Sequence, residues 1–114
     1  MTLKRAAKIT GLDIQVVKAD KQYFVTARDQ RQEDIAYVSG GNLKTILGIL
    51  VEQVYAINRQ SAMERASWAC ELCGSRYNLQ CHHKIHRSMG RRDDRPEALQ
   101  VLCSDCHERH HRGK

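Results

Sequence analysis

The 114-residue sequence predicts an α+β fold, and three patterns indicate it. Two β-rich runs lie on either side of a short polar turn within residues 12–29, and apolar residues recur at helical spacing from Asn42 onward. Four of the five cysteines form two CxxC pairs in the last half of the chain. Because aromatic residues are few, we expect a modest core that a structural metal helps to stabilise.

The first 58 residues are predicted to form a small β-hairpin followed by a long amphipathic helix. The runs 14–18 and 23–27 flank the polar stretch ADKQ, as the strands of a hairpin do, and IAYVSGG predicts a short third strand. The helix takes Asn42 or Ser39 as its N-cap, and its apolar stripe is expected to pack on the hairpin.

The stretch NRQSAMERASWA predicts a second helix that leads to Cys70. We therefore divide the chain into an accessory region, residues 1–58, and a functional domain, residues 59–114.

Positive charge is concentrated in the second part of the chain. The net charge is +6, with eleven basic and seven acidic residues from Arg59 onward and eight basic and six acidic residues before it. A basic surface favours a polyanionic partner, nucleic acid first. No apolar run of about 18 residues is present and the N-terminus has no secretion signal, so we expect a cytoplasmic protein in a reducing compartment with no membrane partner.

The paired cysteines are typical of a zinc site. Cys70 and Cys73 form one CxxC pair and Cys103 and Cys106 the other, with 29 residues between the pairs. In a reducing compartment such pairs are more often metal ligands than disulfides, and Cys81 leaves an odd number of cysteines. Four thiolates close a tetrahedral Zn²⁺ shell, so this zinc is expected to be structural. Catalysis would then need other residues.

Residues 81–111 contain all six histidines. The alternation in YNLQCHHKIH predicts a strand that has to end or bulge for His82 and His83 to reach one site. PEALQVLC predicts a second strand, and CHERHHRGK a helical turn with His107 and His111 on one face, four residues apart. Two imidazoles at this spacing form half of a metal site.

The segments CELCG, CHHKI, SMGRRDD, ALQVLC and CSDCH resemble the zinc-stabilised HNH endonuclease family over residues 65–111. The spacing is similar too: fourteen residues separate His83 from Ala98, eight separate Ala98 from His107, and three separate His107 from His111. This fits the His-Asn-His-His pattern of the family's nuclease toxins. The resemblance implies a C-terminal ββα-metal (HNH) core stapled by the four-cysteine zinc.

The resemblance and the chemistry of phosphodiester hydrolysis imply the same roles for these side chains. His83 is expected to act as general base on water, and His82, His107 and His111 to hold one catalytic divalent metal. Nitrogen ligands suit Zn²⁺, Ni²⁺, Co²⁺ or Mn²⁺, and Mg²⁺ if water and phosphate complete its shell. Phosphate or DNA contacts are expected from three arginines: Arg87, Arg91 and Arg92.

The resemblance also implies double-stranded DNA as substrate, a phage, mobile element or restriction-like system as the setting, and a homodimer or a targeting partner protein. The alternative is a zinc-ribbon module that binds nucleic acid or protein without catalysis. The histidine set distinguishes the two, because a binding module does not need it.

Ala98 departs from the family pattern, since it stands where the family has its middle asparagine. That asparagine typically ties the loop after the base to the second strand, and its loss removes one or two hydrogen bonds of about 1 kcal/mol each. Three explanations follow: a deliberate inactivating substitution, a natural lineage that tolerates alanine, or a domain that has lost cleavage. The otherwise family-like surroundings favour the first.

Overall fold

A computed structural model describes residues 1–84 and 92–112, with side chains up to residue 109, and confirms the α+β prediction. The chain divides into two compact units, residues 1–56 and 57–114, whose boundary lies within one helix. The functional division predicted after residue 58 stays a prediction. The elements in chain order are α1 Leu3–Thr10, β1 Asp13–Ala19, β2 Gln22–Arg28, β3 Asp34–Gly40, α2 Leu43–Arg65, β4 Leu79–His83, a 3₁₀ turn Pro96–Ala98, β5 Leu99–Cys103 and α3 Ser104–Arg112.

The first unit is an antiparallel three-stranded sheet in the order β1-β2-β3. Residues of α1 and of the first part of α2 pack against it. Val25 lies at its centre, opposite Val16 on β1 and Val38 on β3. The apolar stripe of α2 joins these strand residues in one buried core, as its spacing predicted. The Oδ1 atom of Asn42 accepts the N–H of Thr45 at 3.2 Å and so caps the helix.

Helix α1 was not predicted. Thr2 caps it by accepting the N–H of Arg5, and Gly11, with φ 70°, ends it in the left-handed conformation that glycine adopts without strain. Ala6 and Ile9 bury this helix in the core of the first unit.

The second unit begins within α2, which continues unbroken to Arg65, where the sequence had predicted a separate second helix. Strands β4 and β5 then pair antiparallel, with Cys81 opposite Val101 and His83 opposite Leu99, and α3 follows β5 directly. The order is therefore ββα, as predicted. Within the described ranges, no helix is long and apolar enough to cross a membrane.

Arg65 and Glu71 tie the end of α2 to β5. The Arg65 guanidinium donates to the main-chain oxygens of Pro96 and Leu99, at 2.9 and 2.8 Å, and to the Glu71 carboxylate at 2.8 Å. The same carboxylate accepts the N–H of Val101 at 2.9 Å. Burial raises the pKa of Glu71, but the Val101 N–H and Arg65 outweigh it and leave that pKa below its ordinary value. Glu71 is thereby kept ionised in this contact.

Candidate active site

The four paired cysteines lie together, as predicted. Their Sγ atoms are all within 4.8 Å of one another, and those of Cys73 and Cys103 are 3.6 Å apart. The first pair sits on a tight turn closed by the N–H of Gly74, which donates to the Cys70 oxygen at 2.9 Å. The second pair spans the junction of β5 and α3, where the Cys103 Sγ accepts the N–H of Cys106 at 3.4 Å. The two turns thus bring the four sulfur atoms close enough together to bind one metal ion.

The chemistry of this donor set fits a divalent cation. Burial raises the pKa of Cys70, but the N–H groups of Cys103, Cys73 and Leu72 outweigh it and lower that pKa to about 6. The neighbouring sulfurs of Cys103 and Cys73 raise the pKa of Cys106 to about 12. The Cys70 thiolate therefore forms readily whereas Cys106 resists ionisation, and a bound Zn²⁺ would stabilise all four thiolates together.

His83, the last residue of β4, faces a buried carboxylate. Its Nε2 lies 2.7 Å from Oδ1 of Asp94, whose side chain is fully buried, while the His83 side chain is 11% exposed. Arg92 grips the same carboxylate, with its Nε 3.0 Å and its terminal nitrogen 2.8 Å from Oδ2. Asn58 on α2 donates to the main-chain oxygen of Asp94 at 2.9 Å. The imidazole therefore has a firmly held partner.

Arg92, which the sequence predicts to bind phosphate, contacts a carboxylate of the protein. Its guanidinium is engaged with Asp94 and its side chain is 17% exposed. The structure therefore gives Arg92 a contact within the site, and its role in binding phosphate stays a prediction. The other two phosphate candidates, Arg87 and Arg91, lie outside the described residues.

His82 and His107 lie side by side. The His82 side chain is buried, and its ring stands edge-on to that of His107, with centroids 5.2 Å apart and planes at 72°. If both rings bound one ion, that ion would lie about 2.0–2.1 Å from one nitrogen of each ring. The third predicted ligand, His111, belongs to α3, but its side chain lies outside the described part of the chain.

The neighbouring histidines His82 and His83 contact different partners, one on α3 and the other in the loop before β5. Alternation along a strand produces this divergence, and β4 ends at His83 as the sequence required. One short strand therefore supplies both a predicted metal ligand and the predicted base.

Ala98 ends the 3₁₀ turn before β5, at a point where main-chain contacts fasten the loop. Its oxygen accepts the N–H of Lys84 at 2.9 Å, and its own N–H donates to the Arg95 oxygen at 2.9 Å. The Lys84 ammonium donates to the Glu97 oxygen at 2.8 Å. The backbone after the predicted base is thus tied to the second strand without a side-chain amide at Ala98.

Asp94, which lies 2.7 Å from the predicted base His83, was not predicted from the sequence. It follows Asp93 directly in an arginine-rich loop, and nothing in the sequence shows which of the two carboxylates is buried. Asp93 pairs instead with Arg95, at 2.6 Å, and remains partly exposed. The one available signal was the pair of carboxylates in a segment expected to meet phosphate.

Of three comparisons with known proteins, one gives a match. No curated protein and no solved structure gives a significant match to the chain. Residues 70–113 match the family model described as HNH endonuclease, and this range contains the four cysteines, both strands and α3. The C-terminal segment of the chain is therefore similar to the HNH endonuclease family, as its motifs predicted.

Proposed function

We propose that this protein is a metal-dependent HNH endonuclease that hydrolyses phosphodiester bonds of double-stranded DNA. The observation that carries the proposal is the arrangement at the end of β4: His83 is held by the buried Asp94 carboxylate, and the adjacent His82 lies against His107. The family match of residues 70–113 supports the reaction class.

His83 acts as the general base in this proposal. Its Nε2 faces Asp94, so its Nδ1 is the ring nitrogen that takes a proton from water. An imidazole performs this step at neutral pH, because its ordinary pKa lies near the pH of the cell. Attack of the resulting hydroxide on phosphorus breaks the P–O3′ bond and leaves 5′-phosphate and 3′-hydroxyl ends.

His82 and His107, with His111 as the predicted third ligand, would hold the catalytic metal. When bound, a divalent cation supplies positive charge at the scissile phosphate and the leaving oxygen. The four-cysteine site has a structural role, because it fixes the end of β5 and the start of α3 relative to the turn at Cys70. That placement sets His107 beside His82.

Nicking of supercoiled plasmid tests this function. With Mg²⁺, Mn²⁺, Ni²⁺ or Co²⁺ added, the protein is expected to nick DNA, and His83→Ala to lower the rate by about a hundredfold or more, the usual contribution of a general base. His110→Ala is the matched control, because this histidine has no role in the proposal. Zinc content and DNA affinity should be the same in all three proteins.

Two outcomes would contradict the proposal in different ways. One zinc per chain with DNA binding but no cleavage in any divalent metal would favour the non-catalytic zinc-ribbon module. Full cleavage by His83→Ala would show that another group is the base. The homodimer or targeting partner that the sequence predicts stays a prediction.

A further inference from the structure

We propose that Asp94 is the positioning residue of His83, and that Asp94 together with Lys84 replaces the asparagine absent at Ala98. The inference rests on the proposed function, because it assigns a role within the same site. Asp94 is assigned no contact with substrate or metal, and it acts through the imidazole of His83.

Asp94 is fixed from three directions. Its carboxylate is fully buried and lies 2.7 Å from His83 Nε2, while the Arg92 guanidinium binds it through two nitrogens. Its main-chain oxygen accepts the amide of Asn58, 36 positions earlier in the chain. Burying an ionised carboxylate costs free energy unless the carboxylate is paired with a hydrogen-bond donor or a cation. These partners also restrict the movement of the Asp94 side chain.

A carboxylate in this position selects one form of the imidazole. An ionised carboxylate only accepts hydrogen bonds, so the His83 nitrogen that faces it must carry the hydrogen. In the neutral ring, Nδ1 then carries the lone pair that a general base needs. Asp94 thus fixes both the direction of the ring and the nitrogen that acts on water.

The loop around Ala98 is fastened by other groups. The main-chain oxygens of Pro96, Glu97 and Ala98 accept hydrogen bonds from Arg65, from the Lys84 ammonium and from the Lys84 N–H respectively. Three consecutive carbonyls therefore have donors from outside the turn. A side-chain amide at position 98 is not needed to hold this loop, and alanine is compatible with an ordered site.

The substitution Asp94→Asn tests the role of the carboxylate at nearly constant shape. An asparagine amide can donate a hydrogen to Nε2, and this favours the ring form whose Nδ1 carries the hydrogen and cannot act as base. We expect kcat for plasmid nicking to fall about a hundredfold, the cost of a misplaced catalytic group, with KM, zinc content and DNA affinity nearly unchanged. Asp93→Asn is the matched control, and its kcat should stay near that of the unsubstituted protein.

A second measurement does not depend on cleavage. Long-range ¹H–¹⁵N spectra of the His83 ring, at a pH where the ring is neutral, should show hydrogen on Nε2 in the unsubstituted protein and a shift toward Nδ1 in Asp94→Asn. Thermal unfolding identifies variants that fail to fold, and Asp94→Glu, which retains the carboxylate, should keep hydrogen on Nε2.

The outcomes separate the two proposals. Hydrogen on Nδ1 in the unsubstituted protein, or unchanged kcat in folded Asp94→Asn, would overturn the positioning role and leave the endonuclease function standing. Absence of cleavage by the unsubstituted protein would overturn the function, whereas hydrogen on Nε2 that shifts in Asp94→Asn would still support the positioning of His83 by Asp94.

Discussion

His83 and Asp94 form a small site in which each side chain is held by a defined hydrogen-bond partner. The imidazole meets the carboxylate at 2.7 Å, and the carboxylate is held in turn by Arg92 and, through the main chain, by Asn58. Each link is a hydrogen bond with a charged or main-chain partner, the kind that fixes geometry best. If His83 is the base, as we propose, the direction of its ring decides whether it can accept a proton from water.

The substitution Ala98→Asn tests whether position 98 still limits the site. Because the carbonyls of the turn already have donors, restoring the amide should change the nicking rate by less than about fivefold, the equivalent of one net hydrogen bond of about 1 kcal/mol. Rates are compared under the same metal and DNA concentrations. A gain of a hundredfold or more would show that Ala98 disables the enzyme.

At the scale of elements, the site depends on where β4, β5 and α3 meet. Cys103 ends β5, and its Sγ accepts the N–H of Cys106 in the first turn of α3, where the helix dipole favours a negative charge. Arg65 and Glu71 join the other end of β5 to α2. The short strands therefore take their positions from the cysteines and from this ion pair.

Cys103→Ser tests the structural role of the four-cysteine site, with Cys81→Ser as its matched control. Both cysteines lie on the paired strands, but Cys81 is half-buried outside the cluster, and burial raises the pKa of its thiol. Zinc per chain, measured by elemental analysis, should fall from one to near zero in Cys103→Ser. Because a structural zinc contributes folding free energy directly, the ββα segment should also become sensitive to protease.

The control should behave differently. Cys81→Ser is expected to keep one zinc and its protease resistance. Zinc loss in Cys81→Ser, or full zinc retention in Cys103→Ser, would contradict the assignment of the ligands.

These elements also show what a single sequence can predict. The hairpin, the amphipathic stripe of α2 and the two CxxC pairs follow from local spacing, which secondary structure and metal geometry impose directly. The neighbouring positions of His82 and His107 followed from the family spacing. Asp94 could not be predicted in this way, because its partners Asn58 and His83 lie 36 and 11 residues away and its neighbour Asp93 has the same local sequence environment.

Two further elements were missed for physical reasons. Helix α1 has only eight residues, half of them polar, and it is stabilised by the burial of Ala6 and Ile9 in the core of the first unit. The continuation of α2 through Arg65 depends on tertiary contacts, since the Arg65 guanidinium binds carbonyls of a loop that lies 31 or more residues later. Neither of these tertiary contacts can be predicted from local helix propensity.

At the scale of the whole molecule, charge is unevenly shared between the two units. Residues 57–114 hold eleven basic and seven acidic side chains, whereas residues 1–56 hold eight and six. The excess on the unit that carries the HNH match is expected to attract the DNA backbone.

DNA affinity should therefore fall steeply with salt. About four phosphate contacts would lower the association constant about a hundredfold between 50 and 200 mM salt, because bound cations are released from the DNA. Fluorescence anisotropy with a short duplex measures this dependence in the absence of catalytic metal. Binding that does not change over this range would indicate that DNA is not held through its phosphates and would favour a protein partner.

The most direct test of the central claim is the single-turnover rate of plasmid nicking by the unsubstituted protein and by His83→Ala, at equal zinc content and with saturating divalent metal. If His83 is the base, nicking depends on the metal and falls by about a hundredfold or more in His83→Ala while DNA binding is retained. Equal rates for the two proteins, or no nicking by either with zinc and DNA binding intact, would contradict it.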